Sequence, residues 1–274
     1  MNKIVEIFKQ FKLELMWIYA FMLLTELSNL ATPFLLGKSI DGLIDGSWGW
    51  LMLLGASYFL STFFNYKRMV YDTKVYTKIY NSIVFRFLKN DGLDTSTKIA
   101  RTDMAYEIVH VLEGYVHYYI ATIVTIIGSI GFIYSENWRV GVLVSIASLL
   151  IIATGLQFYE KLQQSIRLRN NHNETKAIAI DSGYVQSISF FERMKRLNIY
   201  DSTLQGKNWF AIGLIKNIFL FIAIILLVLT TTNITIGSII TVYSYVNNFL
   251  IALLSVPVAI EMYSRLGDVL KRVH

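Results

Sequence analysis

Six apolar stretches, about 15-38, 48-68, 115-134, 138-159, 210-230 and 234-260, set the first constraint on the fold. Each is near or above the roughly 20 residues that a helix needs to cross about 30 Å of hydrocarbon. The expectation is therefore an all-α membrane protein with six transmembrane helices, and an even number of spans places both termini on one side. Glu26 interrupts the first stretch and Glu261 sits just past the last. The chain is 54% hydrophobic and 16% charged, which leaves too little charge to cover the surface of a soluble domain.

The basic residues select an orientation. Lys3, Lys9 and Lys12 precede the first stretch, and Arg265, Lys271 and Arg272 follow the sixth. Eight bases lie between the second and third, from Lys67 to Arg101, and eight between the fourth and fifth, from Lys161 to Lys207. Only Lys38 and Arg139 flank the other side, with Lys216 near the start of the fifth stretch. By the positive-inside rule both termini and both long loops are cytoplasmic, in an integral, multi-pass protein of a bacterial plasma membrane. Attraction of these bases to anionic lipid accounts for the net charge of +6, so no nucleic-acid partner is implied. The absence of cysteine excludes disulfides, thiolate chemistry and cysteine metal sites. The first stretch follows Glu6 and Glu14, carries Glu26 and Pro33, and lacks a small-residue cleavage site, so it reads as a retained span.

The connections are unequal. The outer ones are short: about ten residues around DGLIDGSWGW, a few around SENW, and TTTNIT. The inner ones, 67 to 114 and 160 to 209, are too long to be structureless in a compact protein. Met69, Val70, Thr73, Tyr76, Ile79, Tyr80, Ile83, Val84, Phe87 and Leu88 recur at three and four, so the second span continues as a helix beyond the bilayer. DGLDTSTK at 91 to 98 supplies a breaker and caps before a helix climbs back. The second loop has the same form, with a turn and short helix in DSGYVQSISFFERM. Two antiparallel helical hairpins result, within one domain spanning residues 1-274.

Polar residues inside the spans are few. Glu26, Asn29 and Pro33 share one helix face and suit either a substrate path or helix packing. Asn217, Asn247 and Asn248 suit either a pathway or an interhelical hydrogen bond. His110, Glu113 and His117 are spaced by three and four but lack a fourth ligand, and read as a polar seam at the membrane surface and not as a metal site. Gly128, Ser129 and Gly131 offer a small-residue face.

Ile234-Thr235-Ile236-Gly237, followed by Tyr243 or Tyr245 and then Pro257, resembles the start of the last span in the transmembrane domain of ABC exporters. Pro33, Gly37, Ile40 and Asp41 at the end of the first span, and Trp138 opening the fourth, fit the same family. The resemblance implies a permease subunit that pairs with a second transmembrane subunit, as a homodimer or heterodimer, and contacts membrane lipid. It also implies that cytoplasmic hairpin tips grip an ATPase. The tips would hold Asn90, Asp91, Leu93 and Asp94 in the first hairpin, and Asp181, Tyr184, Phe190 and Phe191 in the second. Paired aromatics far from lipid favour a partner surface there.

No G-x-x-x-x-G-K-[ST] loop occurs. Gly37-Lys38-Ser39 is a decoy, because Thr32 stands where the first glycine of that loop belongs. The expectation is a chain with no catalytic residues and no bound cofactor, with ATP and Mg held by a separately encoded ATP-binding subunit. A non-transporting accessory protein that keeps the exporter fold is the alternative. An intramembrane enzyme lacks a nucleophile, dyad or metal cluster, and a secondary transporter lacks an inverted repeat.

Overall fold

The computed structural model describes residues 9–89 and 95–272, with the backbone alone for 256–272 and for 96, 97, 100, 101, 104, 107, 108, 111, 115 and 116. The described elements are α-helices: α1 Lys12–Ile44, α2 Gly49–Leu88, α3 Thr95–Glu136, α4 Trp138–Glu174, α5 Lys176–Asp181, α6 Tyr184–Thr230 and α7 Ile236–Arg272. With prolines only at 33 and 257, little interrupts these helices apart from their turns. The 47 residues of α6 extend about 70 Å, more than twice the hydrocarbon thickness. Helices of this length continue past the membrane without a joint, as the periodicity in α2 requires.

Among the described residues, five stretches are long and apolar enough to cross a membrane: Lys12–Ile44, Leu112–Glu136, Trp138–Glu174, Tyr184–Thr230 and Ile236–Ser255. The stretch at 48 to 68 lies in α2 and is not among the five. Ser57, Tyr58, Ser61, Thr62, Asn65 and Tyr66 dilute its aliphatic content. Its outward face is nevertheless apolar, with Met52, Leu53, Phe59, Leu60 and Phe63 exposed.

The chain forms two compact units, Met1–Trp138 with Leu227–His274, and Arg139–Leu226. In the first, α1, α2 and α3 pack together around Ile18, Val75, Tyr76, Ile79, Ile83, Ala105 and Val109, all nearly inaccessible. Here α7 lies against α1 and α3. The second holds the α4–α5–α6 hairpin. Its α4 and α6 are tied by an ion pair from Arg169 Nη1 to Asp201 Oδ2 at 2.8 Å, with Gln205 Nε2 donating to the same oxygen at 3.2 Å.

The turns are tighter than the sequence suggests. The helix α1 runs through DGLI to Ile44 and ends in a Schellman arrangement, with Ser47 N–H donating to Gly42 O at 2.7 Å and Gly46 N–H to Leu43 O at 3.2 Å. Gly46 has φ +78°, a conformation that costs glycine nothing. A single residue, Asn137, separates α3 from α4, and its side-chain amide donates to Thr230 and Thr231 hydroxyls at 2.8 and 3.2 Å.

Candidate functional site

The two motifs quoted for the ends of the first and last spans form one contact. Thr235 is the N-cap of α7, and its hydroxyl accepts the Ser238 N–H at 3.1 Å while the Ser238 hydroxyl accepts the Thr235 N–H at 3.1 Å. This is a reciprocal capping box with serine in the acidic position. Asp41 of α1 completes it, accepting from the Thr235 hydroxyl at 2.7 Å and from the Gly237 N–H at 2.8 Å. A carboxylate thus lies against the positive end of the α7 dipole. Such an approach leaves no room for side chains: a Cβ on Gly37 would fall on Thr241 and the Gly237 carbonyl, and one on Gly237 would fall on the Gly37 carbonyl and Asp41.

One and two turns farther along α7, further bonds reach the α1 backbone beside a gap in its ladder. Pro33 has no amide to offer the Asn29 carbonyl, so the helix ladder is short of a donor there. The Tyr245 hydroxyl donates to Leu30 O at 2.8 Å and the Thr241 hydroxyl to Pro33 O at 3.3 Å, adding donors from a neighbouring helix. The Tyr245 ring is buried and stacks on Phe132 of α3 at 4.7 Å, whereas Tyr243 is exposed. The helix α3 approaches α1 at Gly128, where a Cβ would meet Leu30; Gly131 faces open space, and Ser129 is buried.

At the far end of the second hairpin the short helix is α5, Lys176–Asp181, a little earlier than the 181 to 191 expected from sequence. Gly183, with φ +103°, turns the chain into α6. Ile178, Ile180, Tyr184 and Val185 are exposed around this turn, Tyr184 at 81% and Val185 at 74%. Phe190 is different: it is 5% exposed, and its ring stacks on His172 of α4 at 4.3 Å. His172 Nε2–H donates to the Phe190 carbonyl at 3.0 Å, an acceptor that fixes the tautomer. Phe191 packs edge-on against Phe190 and is half exposed. Phe190 is therefore taken up within the hairpin, while Phe191 and the aliphatic turn are left open.

A family model for the ABC transporter transmembrane region matches residues 4–237. The chain belongs to this family. The match ends at Gly237, inside the capped start of α7. Comparison with curated proteins gives no match. In this ABC transmembrane region the remaining residues singled out by sequence are dispersed. Glu26 is buried and hydrogen-bonded to Asn29, whose Oδ1 accepts from Ser61 Oγ of α2 at 2.8 Å. Asn217 and Asn248 are exposed and Asn247 is half-buried. Asn90, Asp91, Leu93 and Asp94 lie outside the described residues. Among the described residues, no group of three or more His, Cys, Asp or Glu side chains is placed to hold a metal. The ring of His110 stacks on Tyr106.

Sequence reasoning passed over Arg68 and Asp72, a buried ion pair on α2. The only signal was an aspartate four residues after an arginine just beyond an apolar stretch, a pattern that is usually a solvated pair. For Asp41, the expected effect of Asp41→Ala is a loss of about 1–2 kcal/mol, since both a cap acceptor and a helix-dipole partner go. Thermal unfolding in detergent micelles would register it, with Asp41→Asn retaining part of the loss.

Proposed function

We propose that the chain is the permease subunit of an ABC-type exporter, moved by a separately encoded ATP-binding subunit that carries ATP and Mg. Its 274 residues act as one six-span domain, with α2 supplying the second span and both termini on the cytoplasmic side. It pairs with a second transmembrane subunit of the same or another kind. Exposed apolar side chains on α4 and α6, including Leu149, Leu156, Phe210 and Phe221, suit lipid or such a subunit.

The observation that carries this reading is the aliphatic turn at Ile178, Ile180, Tyr184 and Val185, held at the end of stiff helices that run on from membrane spans. A surface that transmits movement must be rigid and must have something to grip. The Arg169–Asp201 pair and the His172–Phe190 stack supply the first, and the open turn supplies the second. Asp181 and Tyr184 belong to this contact, with Phe191 at its edge, while Phe190 braces it from within.

The test is gentle purification from native membranes, identification of what accompanies the chain, and measurement of ATP hydrolysis. The expected result is a nucleotide-binding subunit in the preparation together with hydrolysis. An intact preparation without either supports a non-transporting membrane protein of the same fold.

A further inference from the structure

Four residues beyond the inner end of the α2 span, at 68, Asp72 is 5% exposed. Its Oδ2 lies 3.5 Å from Arg68 Nη1, and its Oδ1 has no hydrogen-bond partner among the described residues. The Nε of Arg68 and the Nδ1 of His117 are likewise buried without partners, while Arg68 Nη2 donates to Asn65 Oδ1 at 3.0 Å. Among the described residues, three helices bring charged or titratable groups here. Glu26 and Tyr19 come from α1, Arg68 and Tyr76 from α2, and Glu113 and His117 from α3.

Among these groups, three carboxylates face one guanidinium. Arg68 acts electrostatically on both Glu26 and Asp72 but sits on Asp72, and Glu113 repels Asp72 from α3. Buried charges require compensation, and among the described residues here one cation meets three anions. The missing positive charge is most simply a proton, because the carboxyl oxygen that would take it is already walled in among side chains.

We propose that Asp72 is a proton-binding site whose occupancy decides whether Arg68 pairs within α2 or bridges to Glu26 on α1. A proton from water adds to Oδ1, converting the carboxylate to a carboxylic acid that can donate to a neighbouring acceptor. Arg68, released from a neutral partner, turns to Glu26, so that a contact within one helix becomes a contact between two. Burial holds the Asp72 carboxyl up, Arg68 opposes this and Glu113 adds to it, with the balance at about 6. The folded value is raised, so folding favours the protonated form. That contribution is fully present below the ordinary value of 3.8 and is lost as pH rises through about 6. This site is independent of the coupling reading, since it involves neither the second hairpin nor an ATPase.

The test uses the full chain in lipid nanodiscs. Infrared difference spectroscopy follows carboxyl protonation as pH is varied. Nitroxide labels on Leu23→Cys and Met69→Cys, two exposed positions in a protein without native cysteines, report the distance between α1 and α2. The expected result is a carboxyl titrating near 6 and an interhelix distance that shifts with the same midpoint. Asp72→Asn should abolish both. Glu113→Gln, which keeps Asp72, should move both midpoints down. A carboxyl in the ordinary aspartate range, a pH-invariant distance, or midpoints unmoved by Glu113→Gln would overturn the proposal. If Asp72→Asn fails to fold, the Glu113→Gln shift decides alone.

Discussion

Gly237→Ala is expected to destabilise the protein by about 3 kcal/mol, the upper part of the range for overpacking a close contact. The added methyl would meet the Gly37 carbonyl and the Asp41 carboxylate, and the first of these is backbone that cannot rotate away. Relief requires α1 and α7 to separate at this crossing. That separation breaks the Asp41 bonds to Thr235 and Gly237 and strains those of Thr241 and Tyr245 to the α1 carbonyls. Gly37→Ala should act in the same direction, since its methyl meets the Gly237 carbonyl. Gly131→Ala is the control: it faces open space on the same bundle, and alanine should leave stability unchanged or improve it by up to about 1 kcal/mol through helix propensity. Thermal unfolding in micelles separates the cases. Equal melting of Gly237→Ala and Gly131→Ala would contradict the packing described for this junction.

The second large effect is expected at the hairpin tip. Val185→Asp places a charge on an open part of the aliphatic turn, where folding asks nothing of it but a docked partner would have to desolvate it. ATP hydrolysis by the co-purified complex should fall by about tenfold or more, with the chain still monodisperse and fully helical. Phe190→Ala should behave oppositely at the level of cause. It removes a ring stacked on His172 and should loosen the hairpin by about 3 kcal/mol. Hydrogen exchange along α5 and the start of α6 would show that loosening, whereas Val185→Asp should leave exchange unchanged. A Val185→Asp chain that couples normally would remove the tip from the mechanism.

Local pattern and tertiary register contributed differently to what was legible in the sequence. The membrane class, the helical hairpins and the two motifs of the α1–α7 junction were all written in local pattern. Apolar length sets the spans, three-and-four spacing carries α2 past the bilayer, and Pro33, Gly37, Asp41, Thr235 and Gly237 are residues that a close helix crossing demands. That those two motifs touch was not local information, because they lie some 200 positions apart. The same is true of Arg68, Asp72, Glu113 and His117. Their meeting depends on the register between α2 and α3, which is set by packing around Val75, Ile79 and Val109. Phe190 and Phe191 looked like a docking pair because adjacent aromatics imply opposite faces only once the helix is known. On α6 one of them points to His172 and the other stays half exposed. In the stretch at 48 to 68, Tyr58, Asn65 and Tyr66 lower the hydropathy of a segment whose exposed side chains remain largely apolar.

Contact between the second hairpin tip and a nucleotide-binding subunit can be tested directly by cross-linking. With no native cysteine in the chain, Val185→Cys provides a single thiol there for a short photoactivatable cross-linker. In native membranes the expected result is one major adduct whose second polypeptide carries a phosphate-binding loop, with a yield that changes when ATP is added. An adduct with a different class of protein, or none from membranes in which the complex still hydrolyses ATP, would contradict it.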